Sequence, residues 1–355
     1  MTTDGFTKAK AMHFPRQVLA GHDVVREIGQ MSKDFELDGP VLLVTGTTTG
    51  NLAAKLVASI LEEHGYEVHT ITVGEASRDN LVKVEEHTKE VGASFLIGVG
   101  GGSKIDLAKL ASGNLRMPFL SVPTSASHDG IASPRASIKD GGNSLSLNAS
   151  VPLGVVADTA LIVKAPYRLL ASGCADVISN TTAVLDWELA SRLRGEFFSS
   201  SAANLAKYAA ESIIENASAI KPNLEDSVWV AIRPIIISGI SMAVASSSRP
   251  TSGSEHMFSH VLDKAAPGKA LHGEQCGVGS IMMMYLHGGD WERLREALRQ
   301  IGAPTSAEEL GIPAEQVIDA LVHAHEIRKD RYTILGDRGL TPDAAERLAG
   351  ITKVI

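Results

Sequence analysis

The sequence predicts an α/β N-terminal domain built on a mostly parallel, Rossmann-like sheet, followed by an all-helical C-terminal domain, with the active site in the interdomain cleft. Three observations predict it. In the first half, short apolar runs rich in β-branched residues alternate with helical patterns, as a parallel sheet with crossover helices requires. From about Tyr167 the strand signals fade and long helical patterns take over. The chain of 355 residues also exceeds one comfortable core, so two domains are expected, residues 1–165 and 166–355.

The elements follow in order. Residues 41–44 (VLLV) are a compact apolar run, and the polar loop 45–50 leads into Leu52, Leu56, Val57, Ile60 and Leu61 at helical spacing, stopped by Gly65. The unit repeats with a strand at 68–73, a helix at about 80–91, a strand at 95–99 followed by a glycine-rich loop and helix, and a strand at 118–122. Helices are expected at 174–194, 202–220, 227–245, 291–301 and 314–328, with residues 171–173 and 199–201 as connections. The apolar stretch 228–245 is interrupted by Arg233 and Pro234 and reads as a core helix rather than a membrane span.

Composition excludes several classes of partner. The formal charge of −8 comes from 41 acidic and 33 basic residues. No Lys/Arg cluster forms a nucleic-acid groove or an anionic-membrane surface. Two cysteines, Cys174 and Cys276, are too few for a disulfide framework and fit a reducing compartment. The stretch MTTDGFTKAK lacks an apolar secretory core, so a cytoplasmic location is expected.

The chemistry-bearing segments lie at expected strand ends and on one helix. Gly100, Gly101, Gly102 and Ser103 follow a strand and precede helical residues beginning Lys104 and Ile105. Such a loop lets backbone N–H groups approach a pyrophosphate at a helix N-terminus. It also reads as a bare strand-to-helix turn, since neither G-x-G-x-x-G nor a Walker motif is present. Thr124, Ser125, Ala126 and Ser127 follow Pro123 at the same sheet edge, with His128 and Asp129 beyond.

His256 and His260 are four apart and share a helix face, and His272 follows the turn-like 266–268. Two imidazoles and a carboxylate suit Zn²⁺ or another first-row divalent ion. Alone the pair reads more readily as two satisfied helix histidines, a preference that His272-Gly-Glu274 nearby reduces, and the protease motif H-E-x-x-H is absent. Asp176 is the best carboxylate candidate; its alternative role is as a cap or dipole partner near a helix start. Arg249, Lys264 and Lys269 flank the histidine segment as candidate phosphate ligands, with Arg249 preferred.

Taken together, the ordered set Gly100 to Ser103, Asp106, Lys109, Asp176, His256-x-x-x-His260 and Leu271-His272-Gly-Glu274 resembles the iron-containing alcohol dehydrogenase, glycerol dehydrogenase and dehydroquinate synthase superfamily. Within it, residues 128–134 (HDGIASP) and 249–256 (RPTSGSEH) are similar to the archaeal-type sn-glycerol-1-phosphate dehydrogenase family. The resemblance implies Asp176, His256 and His272 as ligands of a catalytic metal, commonly zinc, with Fe²⁺ or Ni²⁺ as alternatives. It implies Asp129, Asp176 and His260 as substrate contacts, with Asp129 and His260 catalytic. Gly101 to Ile105, Thr124 to Ser127 and Ser133 would bind NAD or NADP, and Gly100 joins that loop.

The implied reaction is reversible reduction of dihydroxyacetone phosphate to sn-glycerol 1-phosphate, the start of the archaeal phospholipid backbone. A homo-oligomer acting on a phosphorylated small molecule, without nucleic-acid or membrane partners, is expected. Glycerol dehydrogenase chemistry on the unphosphorylated triose and a dehydroquinate-synthase-like lyase remain open as alternatives.

Overall fold

The computed structural model describes residues 11–49, 53–140 and 143–355. Its centre is a six-stranded, wholly parallel sheet. The strands are β1 (Gln17–Gly21), β2 (Val41–Thr45), β3 (Val68–Thr72), β4 (Phe95–Gly100), β5 (Phe119–Pro123) and, after a hairpin, β8 (Gly154–Asp158). They lie in the order β1-β8-β5-β4-β2-β3. Strands β2, β4, β5 and β8 are buried along their whole length, and β2, β4 and β5 accordingly read as continuous apolar runs rather than alternating ones. After β3 the chain returns to the other side of β2 as β4. The order therefore reverses between β2 and β4, and loops at the carboxyl ends beside that reversal form a ligand crevice in open sheets of this kind.

Three strand regions were not expected from the sequence. Edge strand β1 is partly exposed and so carries no continuous apolar run. Strand β8 is five residues with Asp158 at its end. The antiparallel hairpin β6 (Arg135–Asp140) and β7 (Asn143–Asn148) stands apart from the main sheet, and β6 buries only alternate residues. The expected helical residue Leu52 and the loop residue Gly50 lie outside the described residues.

From Tyr167 onward the described residues form helices and connections without strands. Residues 171–173, expected as a connection, lie inside the helix Tyr167–Ile178. Gly173 misled the reading: a Cβ there would come 2.0 Å from the Ala126 carbonyl oxygen, so the glycine exists for close approach of helix to loop, not for a break. The single helix expected over 174–194 is two, divided at Ser179, the second being Asn180–Arg194. The expected helices ending at 220 and 328 stop at Glu215 and His323 and continue as short 3₁₀ turns.

The helix His272–Leu286 was also missed, because Gly277 and Gly279 lower its helical signal. Added Cβ atoms would meet Ala175 and Phe258 at 3.0 Å, so both glycines let neighbouring helices pack closely. Glu225–Ala245 is long and apolar enough to cross a membrane by composition, but two-thirds of its apolar window is buried inside the protein, as expected for a core helix.

One apolar cluster runs continuously from the sheet residues Leu42, Val44 and Leu96 through Ile105 and Cys174 to the C-terminal helices at Val317 and Leu348. A second fills the other sheet face around Leu43, Ile97 and Leu120. The shared cluster fixes the helices against the sheet edge where the loops emerge.

Candidate active site

Three helices bring the predicted metal ligands together. Asp176 sits in the last turn of Tyr167–Ile178 rather than near a helix start, so neither an N-cap nor an N-terminal dipole role applies to it. His256 and His260 lie on Ser254–Ala265, and His272 opens His272–Leu286. The His256 and His272 Nε2 atoms stand 3.6 and 3.9 Å from Asp176 Oδ1. One donor atom from each of Asp176, His256, His272 and Cys276 falls within a 4.8 Å group. Cys276 escaped the sequence reading; its signal was the four-residue spacing from His272, which puts both on one helix face.

The donor set fits a divalent cation on three grounds. Asp176 Oδ1 is buried and without a hydrogen-bond partner, an orphan state that a native protein normally compensates. Burial pushes the Asp176 carboxyl up to about 7, because an isolated carboxylate is penalised there; a cation removes that penalty. Burial also holds the His256 imidazole well below its usual range, leaving it neutral, the form that ligates metal. The other ring nitrogens are already engaged. His256 Nδ1 lies 3.0 Å from Glu255 Oε1, and His272 Nδ1 lies 3.0 Å from Ser259 Oγ. Such outer contacts orient imidazole ligands.

The remaining substrate candidates line the same cleft. Asp129, Ser133, Asp176, His256, His260 and His272 all face it. The Asp129 backbone N–H donates to Asp176 Oδ2 at 3.2 Å, and Ser238 Oγ donates to the Asp129 carboxylate at 2.8 Å. Burial, then the neighbouring Asp176, raises the Asp129 carboxyl to about 7. The His260 ring stacks at 6.0 Å from His272. Burial lowers its imidazole to about 3, and its Nδ1 has no partner.

The cofactor candidates occupy the adjoining sheet edge. Gly100 ends β4, and Gly101 precedes the helix Gly102–Leu115. Thr124 N–H donates to the Gly100 carbonyl at 3.0 Å, tying the loops after β4 and β5 together. Ser103 opens that helix, Ser125 and Ala126 are buried, and Ser127 is half-buried. His128 connects this edge to the cleft: a Cβ on Gly102 would overlap its Nε2 at 1.8 Å. Lys104 Nζ donates to the Gly74 carbonyl at 2.6 Å, and the Ile105 side chain is wholly in the core, so that side chain cannot face a cofactor.

Asp106 and Lys109 have a structural role that spacing did not reveal. Lys109 is fully buried, and its Nζ donates to the Gly130 and Arg135 carbonyls at 2.5 and 2.6 Å and lies 3.4 Å from Asp106. Asp106 also accepts from Ser137 N–H at 3.0 Å. The pair clamps the segment carrying Asp129 and Ser133 to the glycine-loop helix. Arg249, the preferred phosphate ligand, is instead 2% exposed. It is paired with Glu196, and its guanidinium also donates to the Tyr332 carbonyl. Lys264 and Lys269 are exposed.

Known proteins resemble this chain in sequence and in fold. The iron-containing alcohol dehydrogenase family model matches residues 19–166. A protein named glycerol-1-phosphate dehydrogenase [NAD(P)+] from Methanosarcina barkeri (strain Fusaro / DSM 804) is 58% identical over 98% of this chain and 97% of its own length. One of the same name from Methanococcoides burtonii (strain DSM 6242 / NBRC 107633 / OCM 468 / ACE-M) is 52% identical over 100% and 99%. The chain belongs to the glycerol-1-phosphate dehydrogenase family. Among solved structures, glycerol dehydrogenase from Schizosaccharomyces pombe superposes with a TM-score of 0.79 at 20% identity, covering 98% of this chain and 91% of that one. An iron-containing alcohol dehydrogenase from Thermotoga maritima gives 0.72 at 18% over 98% and 100%. At those identities the likeness is one of fold, and it extends beyond the stretch matched by the family model to the helical half of this family member.

Proposed function

We propose that this chain reduces dihydroxyacetone phosphate reversibly to sn-glycerol 1-phosphate with NADH or NADPH, supplying the glycerol backbone of archaeal-type membrane phospholipids. The observation that carries the reading is the convergence of Asp176, His256 and His272 donor atoms in the cleft beside the glycine loop, in a chain 52–58% identical to near full-length relatives of that name.

In this reading Asp176, His256 and His272 hold Zn²⁺, or Fe²⁺ or Ni²⁺ in its place. When bound, the metal supplies Lewis acidity toward the substrate oxygen, and the nicotinamide supplies the hydride. Glu255 and Ser259 fix the two imidazoles. Asp129 and His260, which line the cleft beside the metal group, contact the substrate. The loop Gly100 to Ser103, with Thr124 to Ser127 and Ser133, takes the dinucleotide; Lys104 and Ile105 contribute through the backbone they position. Residues 1–165 serve as the dinucleotide-binding domain and 166–355 as the metal and substrate domain, in a cytoplasmic homo-oligomer.

The test follows absorbance at the nicotinamide band with dihydroxyacetone phosphate and each reduced cofactor, with chiral analysis of the product. The expected product is sn-glycerol 1-phosphate. A preference for unphosphorylated dihydroxyacetone, or formation of the opposite enantiomer, contradicts the reading.

A further inference from the structure

A phosphorylated substrate needs a cation, and the residue favoured by sequence proximity, Arg249, is committed to Glu196. Two guanidinium side chains line the cleft, Arg135 and Arg328. Arg135 is spent on the hairpin, where it donates to the Ser146 hydroxyl and carbonyl and to the Asn148 side chain. Arg331, close by, is spent on the Ser252 carbonyl and the Ser248 hydroxyl at 3.1 and 2.7 Å. Arg328 is half-buried, and among the described residues its guanidinium has no hydrogen-bond or ion-pair partner.

A partly desolvated cation without a partner is costly unless an anion comes to it. The three guanidinium groups also disfavour one another. The charges of Arg328, Arg249 and Arg135 add to burial in pulling Arg331 down to about 9, and Arg328 opposes the charge on Arg135. The carboxylates of the cleft do not relieve this: Asp106 is held by Lys109 and Ser137, Asp129 by Ser238, and Asp176 belongs to the metal group. Asp263 also lines the cleft but forms no ion pair with Arg328. The hydroxyl-bearing residues Ser248, Thr251 and Ser252 line the same cleft and offer neutral donors beside the cation.

We infer that Arg328 is the residue that binds the substrate's phosphate group, with the 248–252 segment, held in place by Arg331, completing the anion site. A planar guanidinium fork suits two phosphate oxygens at once. Arg328 also borders an adjoining cavity lined by Lys264 and by Glu326, whose carboxylate is paired with His323. The inference rests on the proposed reduction of a triose phosphate.

The experiment compares wild type with Arg328→Ala and Arg328→Lys. It measures kcat/KM for dihydroxyacetone phosphate and for dihydroxyacetone, KM for NADH and NADPH, competitive inhibition by inorganic phosphate, and bound metal. The expected result is a fall of about 100-fold in the phosphorylated-to-unphosphorylated ratio for Arg328→Ala. Inhibition by inorganic phosphate should be lost, metal content should be retained, and Arg328→Lys should recover part of the ratio. An unchanged ratio, an equal loss with both substrates, or a change confined to KM for NADPH overturns the inference. A wild-type protein without preference for the phosphorylated triose overturns the functional reading itself, and that result is visible before any variant is made.

Discussion

Two groups of side chains share one cleft and are built in opposite ways. The metal group draws Asp176, His256 and His272 from three packed helices, and the other nitrogens of both imidazoles are satisfied by Glu255 and Ser259. Burial drives Asp176 and His256 toward neutrality, raising the carboxyl and lowering the imidazole. The cationic group, Arg135, Arg328 and the neighbouring Arg331, is made of half-buried side chains, and Arg328 has no partner among the described residues. The difference shows how a polar site can be completed by its ligand from either direction. One group presents neutral donors and an orphaned carboxylate that call for a cation, and the other presents an uncompensated cation that calls for an anion.

The comparison can be broken most severely at the metal group. Asp176→Asn should lose bound metal and lower kcat/KM by about 10³-fold with an unchanged circular-dichroism spectrum; metal retention with near-normal turnover would remove Asp176 from the ligand set. Metal affinity should depend on pH with a definite sign. The Asp176 carboxyl, raised to about 7 by burial, must shed its proton to bind a cation. Affinity should therefore fall about tenfold per pH unit below 7 and level off above about 8. His256, held low by burial, brings no competing proton in that window. Titration of the metal-free protein with Zn²⁺ across pH 5.5 to 8.5, roughly the window named above, reads this directly, and a flat profile contradicts it.

Smaller effects sharpen the same contrast. Ser259→Ala should weaken metal affinity by about tenfold, since it frees His272 Nδ1, while leaving the phosphate response intact. Arg249→Ala should lower stability to chemical denaturation by about 1–3 kcal/mol. Its KM for dihydroxyacetone phosphate should stay within about twofold, because its guanidinium is tied to Glu196 and Tyr332. A large rise in that KM would return Arg249 to the phosphate site.

Legibility in the sequence followed burial and local spacing. Strands β2, β4 and β5 were readable as buried runs of apolar or small residues and the partly exposed β3 by its β-branched residues, whereas β1 and the hairpin are partly exposed and the equally buried β8 is a short run closed by Asp158. His256 and His260 were readable because helix periodicity puts them on one face of Ser254–Ala265, and His272 because it follows the turn just beyond that helix. Gly173 was misread because its reason lies in the Ala126 carbonyl, 47 positions earlier. Arg249 was preferred because it is near the histidines in sequence, and nothing local announces Glu196 as its partner. Arg328 was missed because only the packing of the 3₁₀ turn Ala324–Glu326 and the chain after it returns that residue to the cleft.

The central claim is that Asp176, His256 and His272 hold a metal on which the reaction depends. The most direct measurement strips the wild-type protein with a chelator and follows metal content and dihydroxyacetone-phosphate-dependent oxidation of NADH or NADPH on the same sample, before and after adding Zn²⁺. The predicted result is that activity disappears with the metal and returns with about one Zn²⁺ per chain. Full activity in protein free of bound metal would contradict the account.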